Sequence, residues 1–341
     1  MKMHITNVYG SSCTWAKAQN AVADIAKKEL HYNELGIYKY PVESDTPEML
    51  RGRLDGILAS VSFGDIVVIQ SPTWNSFIFD ERLIRSLSGY QGLRKIVFIH
   101  DVVPLMNKAW KGEALLKRYI DFYNQAELII APSQAMVDYL RTEGMTVEKT
   151  VIQKMWDCMV SVDETIKPQL KKAINFAGNP NIDPKFAFIQ KWDCNDIRMK
   201  VTVDDGDWAQ GKNVIFLGWF NNDNLLVNAL RRSGGFGLLW SEDSSWREYM
   251  KLNANYKLSV YLAAGIPVIV PDDIAEKDTI IHKNLGIVVN SLDEAVERVR
   301  CMKEEENNSM AENVDRFSYL LRNGYFTKKV LTDAVFRLIQ E

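Results

Sequence analysis

Short runs rich in Ile and Val alternate with amphipathic helical stretches along almost the whole chain, and this alternation restricts the fold more than any single motif. In the first half the runs are Ile5 to Val8, Leu35 to Tyr38, Asp65 to Gln70, Ile96 to His100, Leu128 to Ala131 and Val151 to Lys154. Between them lie "TWAKAQNAVADIAKKEL", "TPEMLRGRLDGILASV" and "QAMVDYLRTEG", whose apolar positions recur every three or four residues. Strand, crossover helix, parallel strand is the pattern of right-handed βαβ units. A second series follows: "INFAG", "MKVTV", "NVIFLGW", "GFGLLWS", "IPVIVP" and "GIVVN", separated by helical patterns such as "NLLVNALRRSG" and "SLDEAVERVRCM". The segment between the series, "CMVSVDETIKPQLKKA", carries charge and proline without periodicity and reads as a linker or mobile loop.

With 341 residues, the chain exceeds what one core usually serves. Two doubly wound α/β domains in tandem are expected. A formal charge of -3 supplies no bulk basic surface, which argues against nucleic acid and leaves only local anion sites. Cys13, Cys158, Cys194 and Cys301 form no C-x-x-C pair, and His4, His31, His100 and His282 have no metal-ligand spacing. Free thiols in a reducing compartment follow. The start "MKMHITNVYG" runs directly into a strand pattern, and no run of about 18 apolar residues occurs, so a soluble cytoplasmic protein without a membrane span is expected.

Ligands of open parallel sheets bind beyond the carboxyl ends of the strands. Those positions hold "YGSSCTW", "SPTWNSF" and "HDVVPL" in the first series and "AGNPN", "GWFNND" and "WSEDSS" in the second. Two such edges facing one another would make an interdomain cleft. Gly10 with Ser11 and Ser12 would suit either a ligand loop or a plain turn. His100 and Asp101 stand where a general base would be useful, or where a turn is capped. Trp74 and Trp240 would offer aromatic faces to a ligand or fill a core. "VDDGDW", residues 203–208, has the look of an Asp-x-Asp metal clamp, but the order of elements favours a loop.

In "REYMKLNANYKLSVYLAAGIPVIVP", residues 247–271, a helix ends at Gly265 before a buried strand. Lys251 and Lys257 are six apart and cannot share one face of an uninterrupted helix, so one belongs to the loop before it. Both would converge on an anion at the helix N-terminus, or both are solvated.

"NYKLSVYLAAGIPVIVP" is similar to the Lys-Leu-x-Glu-Tyr-Leu-Ala-Ala-Gly-x-Pro-Val segment of glycosyltransferases of GT-B architecture. With "HITNVYG", "NELGIYKYPVESDT", "RLDGILASVSFGDIVVIQSPTWN", "FIHDVVPLM", "GGFGLLWS", "LGIVVNSLDEA" and "FSYLLRNGYFTKK", the chain resembles, over nearly its whole length, bacterial glucosyltransferases that extend the first sugar on serine-rich-repeat adhesins. The resemblance implies two Rossmann-like domains: residues 1–160 for the acceptor, 161–320 for the UDP-sugar, and a helical tail, 321–341, packing back on the first. It implies transfer of glucose from UDP-glucose to N-acetylglucosamine O-linked to Ser or Thr of an adhesin. Donor contacts are then expected from Lys251, Lys257, Asn255, Tyr256, Asn179, Gly218, Trp219, Trp240 and Ser241. Acceptor contacts are expected from Ser12, Thr14, Trp74 and Asn75, with Asp101 or His100 as the base if the reaction inverts. No cofactor or metal is required, because lysines would neutralise the diphosphate, and the chain is expected to form a homo-oligomer.

One departure stands out: where many retaining relatives hold the donor ribose with a Glu, this chain has Val260, which leaves Asn255 or Tyr256 for that task. UDP-N-acetylglucosamine as the donor, a sugar-nucleotide epimerase, and a non-catalytic glycopeptide-binding subunit are the alternatives.

Overall fold

The computed structural model describes residues 1–11, 13–106, 112–169 and 171–340. The chain divides into two compact units, Met1–Lys154 with Tyr325–Glu341, and Met155–Gly324.

Unit 1 contains β1 (Met3–Tyr9), β2 (Asn33–Tyr38), β3 (Ile66–Ser71), β4 (Arg94–Ile99), β5 (Leu128–Ala131) and β6 (Thr150–Ile152). Its helices are α1 (Thr14–Leu30), α2 (Pro47–Ile57), α3 (Phe77–Leu87), the single turn α4 (Val103–Met106), α5 (Glu113–Tyr123) and α6 (Gln134–Thr142). All strand pairs are parallel, in the order β2-β1-β3-β4-β5-β6. Every residue of β3 is buried, as a strand covered on both faces requires. The strand order reverses between β1 and β3.

Unit 2 repeats the architecture with β7 (Ala173–Phe176), β8 (Arg198–Val201), β9 (Val214–Phe216), β10 (Phe236–Leu238), β11 (Val268–Pro271) and β12 (Gly286–Val289). Its helices are α7 (Asp223–Ser233), α8 (Ser244–Met250), α9 (Tyr256–Ala263), α10 (Lys277–His282), α11 (Leu292–Cys301) and α12 (Glu304–Arg322). The parallel order β12-β11-β10-β7-β8-β9 is the Rossmann order, and its switch point lies between β7 and β10. Gly265 ends α9 at φ +80, and a Cβ there would stand 2.9 Å from the Arg231 guanidinium, so glycine is required twice over.

The final helix, α13 (Tyr325–Gln340), returns to unit 1 and packs on α1, β5 and β6. Arg94 donates to the Leu338 carbonyl at 3.0 Å and Lys149 to that of Arg337 at 2.8 Å. The returning segment starts at Tyr325 rather than 321, because α12 runs through to Arg322, whose guanidinium donates to the Ala263 carbonyl at 3.1 Å within unit 2. The boundary near residue 160 moves back to Lys154 for a related reason. The segment expected to be a linker is stitched into unit 2: the Cys158 N–H donates to Leu321, Ser161 N–H to Asn224, and Arg231 to the Asp163 carbonyl. Cys13, Cys158, Cys194 and Cys301 are free thiols.

Candidate functional site

The two switch points are the places where parallel sheets of this kind open to a ligand, and each is built differently. In unit 2, Tyr261 on α9 spans the gap from beneath. Its hydroxyl accepts the Ala177 N–H at 2.7 Å and donates to the Leu238 carbonyl at 3.1 Å, tying the ends of β7 and β10. The ring lies so close to β10 that a Cβ on Gly237 would sit 2.2 Å from it. Burial raises the Tyr261 hydroxyl pKa far above its ordinary value, so the bridge persists at any working pH.

The N-terminus of α9 stands at the same edge. Asn255 is its N-cap, and its side chain accepts the Lys257 N–H at 3.1 Å. The Asn255 N–H in turn donates to Glu276 at 2.8 Å. Tyr256 donates to Asp223 at 2.6 Å. The polar groups considered for ribose recognition therefore already have partners: the Asn255 carbonyl oxygen is spent on the cap and the Tyr256 hydroxyl on Asp223.

Lys257 has no such partner and forms no ion pair among the described residues. Its ammonium rests on aromatic rings, 3.5 Å from the centroid of Phe186 and 4.9 Å from that of Phe176. The side chain keeps some solvent-accessible area, yet the packing around it is dense. Burial, reinforced by the neighbouring Lys185 and opposed by Asp183, pushes its pKa down to about 7. An anion beside it would restore the charge. Lys185 lies 4.2 Å from the Trp246 ring and pairs with Asp183 at 3.0 Å. Arg247 lies over Trp240 at 4.7 Å and pairs with Asp273 at 2.9 Å.

Lys251 differs from Lys257. It caps the C-terminus of α8, in the loop before α9, and Glu248 at 2.8 Å and Asp273 at 3.7 Å hold its pKa up. Both lysines stand at the turn between the two helices, but only Lys257 lacks a carboxylate.

The remaining donor expectations separate. Trp240, 8% exposed, belongs to the hydrophobic core of unit 2 and its ring is covered by Arg247, so it is packing rather than a ligand platform. Ser241 is buried; its hydroxyl donates to the Lys185 carbonyl and accepts the Asp243 N–H, both at 3.2 Å. The Asn179 side chain accepts the Asn181 N–H at 2.9 Å in a local turn. Gly218, at φ +89, lets the loop after β9 present Trp219, which is 60% exposed. That loop is pinned by Asp204, which accepts the Trp219 N–H at 2.8 Å. "VDDGDW" is thus a loop with a structural carboxylate, and no cluster of three metal-ligating side chains occurs among the described residues.

In unit 1 the switch point is bridged by amides. Gln70 donates to the carbonyls of Thr6 at 2.6 Å and Gln19 at 3.1 Å, while Gln19 donates to Pro72 at 2.8 Å. The Gln70 oxygen lies 2.8 Å from His100 Nε2, which must therefore carry the proton. Burial drives the His100 pKa down to about 3. A ring that is only 4% exposed and whose protonated form burial disfavours so strongly makes a poor general base. Asp101, the next residue, is half-buried at the carboxyl end of β4 and near enough to Tyr119 and Tyr123 to raise their pKa values.

Asn75 is 7% exposed and laces its loop to the end of β2, accepting the Tyr40 N–H at 2.9 Å and donating to the Tyr38 carbonyl at 3.3 Å. It is structural rather than a free acceptor contact. Thr14 opens α1 and is exposed; Ser12 lies outside the described residues. Trp74 stacks on Trp15, with centroids 5.0 Å apart and planes at 25°. Asp80, fully buried, accepts from the Thr73 N–H at 2.9 Å and hydroxyl at 2.8 Å, and burial lifts its pKa to about 7. Trp15, Lys185 and Glu276 were not singled out from the sequence. Only Trp15 left a trace there, inside the polar loop after β1.

Two families match the chain in succession: "Glucosyltransferase 3-like, N-terminal domain" over residues 2–155 and "Glucosyltransferase 3-like, C-terminal domain" over 174–334. Glucosyltransferase 3 of Streptococcus parasanguinis is 41% identical over 343 residues, covering 99% of both chains. Glucosyltransferase 3 of Streptococcus gordonii is 41% identical over 344 residues, covering 99% of this chain and 100% of the other. Sucrose-phosphate synthase from Thermosynechococcus elongatus superposes with a TM-score of 0.68 at 11% identity, covering 99% of both, which establishes a shared GT-B fold. No helix among the described residues is long and apolar enough to cross a membrane.

Proposed function

Because the chain belongs to the glucosyltransferase 3-like family of glycosyltransferases, we propose that it transfers glucose from UDP-glucose to N-acetylglucosamine already O-linked to Ser or Thr of a serine-rich-repeat adhesin, in the cytoplasm. The observation that carries this reading is the end-to-end 41% identity to two streptococcal proteins named glucosyltransferase 3. Geometry adds the donor end. Unit 2 receives UDP at the β7/β10 switch point, where Lys257, in the first turn of α9, meets the diphosphate.

As the glycosidic bond breaks, negative charge grows on the leaving phosphate oxygen, and a cation already desolvated on aromatic faces stabilises that charge more than the ground state. This reaction needs no metal. Unit 1 holds the acceptor, and if the displacement inverts, Asp101 takes the proton from the attacking hydroxyl; the products are UDP and the extended glycan. The working enzyme is a homo-oligomer.

Mass spectrometry of an N-acetylglucosamine-primed adhesin peptide incubated with each UDP-sugar tests the proposal. A gain of one hexose from UDP-glucose alone, undiminished by EDTA, is the expected result. A gain of one N-acetylhexosamine would reassign the donor, and no gain with any donor would favour a non-catalytic subunit.

A further inference from the structure

We infer that the stacked indoles of Trp15 and Trp74 form the platform on which one neutral pyranose ring of the acceptor rests. The inference depends on the reading above, in which unit 1 takes a glycosylated acceptor.

Position is the first argument. Trp15 lies at the start of α1, directly after β1, and Trp74 lies directly after β3, so the pair straddles the switch point of unit 1, where an open α/β sheet receives its ligand. Both side chains are half-buried. Each ring spends one face on the other and is not closed into the core.

The second argument is how firmly Trp74 is placed. Its φ of 58° lies in the left-handed region, which costs a bulky residue about 1 kcal/mol or more and persists only where the surroundings impose it. They do so here: Asp80 grips both the N–H and the hydroxyl of Thr73, Gln19 holds the Pro72 carbonyl, and Asn75 is tied to the end of β2. The Trp74 Nε1 has no hydrogen-bond partner among the described residues. That nitrogen is buried, and stacking on Trp15 is the ring contact that the described residues give the indole. A loop this heavily fixed, carrying a half-buried indole at the switch point, presents the open part of that ring as a surface.

Chemistry selects the occupant. An indole buries the C–H face of a pyranose while the sugar hydroxyls stay at the rim, where water or polar groups reach them. Among the described residues, the charged group over the pair is Lys39, 5.4 Å from the Trp15 centroid and exposed. The two indoles are themselves uncharged, so a neutral sugar face loses nothing by resting on them.

The test uses full-length protein and a peptide carrying O-linked N-acetylglucosamine, with UDP-glucose as donor. Trp74→Ala and Trp15→Ala are expected to raise the acceptor KM by about 10- to 100-fold, the loss expected when one large apolar face is no longer covered. The donor KM should move far less, and Trp74→Phe should recover most of the acceptor binding. In the wild type, tryptophan fluorescence should change on titration with the primed peptide and not with the unmodified one, and the Trp74→Phe/Trp15→Phe double variant should lose that response. An unchanged acceptor KM in both alanine variants, or an equal rise in donor KM, overturns the inference while leaving the transferase reading intact. A wild-type enzyme that adds no sugar to the primed peptide overturns both.

Discussion

The two units share a parallel six-stranded sheet with one reversal of strand order, yet they finish their switch points with opposite materials. Unit 2 closes its own with a tyrosine hydroxyl and sets cations on aromatic rings: Lys257 on Phe186, Lys185 on Trp246, Arg247 on Trp240. Unit 1 closes its own with glutamine amides and a neutral histidine, and sets an indole pair at the edge. Each also buries a carboxyl with a raised pKa that holds a loop by backbone N–H: Asp80 on Thr73 and Glu276 on Asn255. The same scaffold thus supports two recognition chemistries. Charge on a low-dielectric bed suits a diphosphate, and flat apolar area suits a sugar face.

The sharpest way to break this division is at the proton. Asp101→Asn should lower transfer to a primed peptide by about 100- to 10,000-fold, while UDP affinity by calorimetry stays at the wild-type value. If UDP binding falls too, the β4 loop touches the donor and the units do not divide the labour.

Next comes Lys257. Lys257→Ala should weaken UDP binding and kcat/KM by about 10- to 100-fold, the size of one lost charge-assisted hydrogen bond. The pH dependence carries the sharper signature. With a free-protein pKa of about 7, the ammonium is charged below that pH and is lost above it, so UDP affinity should fall between pH 7 and pH 9 as binding must first recapture a proton. Calorimetry in buffers of different ionisation enthalpy would detect that uptake. An equally pH-dependent Lys257→Ala variant would assign the effect to another group.

These expectations rank residues in a way that the sequence alone could not. The sheets were legible because buried strands announce themselves: Ile66 to Ser71 is buried at every position, and Val268 to Pro271 likewise. The helix break that separates Lys251 from Lys257 was legible too, since a spacing of six defeats one helical face. What periodicity cannot express is which loop meets which. The stacking of Trp15 on Trp74 and the aromatic bed of Lys257 join residues far apart in sequence that the sheet brings together. Burial is the other silent quantity. His100 and Asp101 are neighbours at one strand end, and only packing reveals that the first is sealed off and the second is not.

The buried carboxyls offer a milder test, read in stability. Glu276 has its pKa raised by burial from 4.5 to about 8, and Asp80 from 3.8 to about 7. Between about pH 4 and pH 8 the native protein therefore holds protons that the unfolded chain has released, so stability should decline as pH rises through that window and level off above it. Glu276→Gln and Asp80→Asn keep an acceptor for the backbone N–H and remove the ionisation. Each should flatten part of the decline, raising Tm at pH 8 by a few degrees relative to wild type while leaving pH 5 nearly unchanged. A Tm profile identical to wild type would mean that the carboxyls are already solvated when charged.

The smallest effect should come from Lys251, and its smallness is what gives it value. Lys251 and Lys257 flank the same turn and carry the same charge, and a reading by proximity to the helix N-terminus would weigh them equally. Their surroundings do not. Lys251 is 39% exposed and already meets Glu248 at 2.8 Å and Asp273 at 3.7 Å, so a phosphate would have to compete with two carboxylates that stay in place. Exposed pairs of this kind contribute about 0 to 1 kcal/mol, and the charge that they neutralise is largely unavailable to a ligand. Lys251→Ala should therefore change UDP affinity by less than about threefold, with no change in its pH dependence. A loss as large as that of Lys257→Ala would mean that Lys251 leaves its carboxylates when the donor arrives. Glu248→Gln should then strengthen UDP binding by freeing it, and the donor edge of unit 2 would work as a pair of cations rather than as one lysine held bare on aromatic rings.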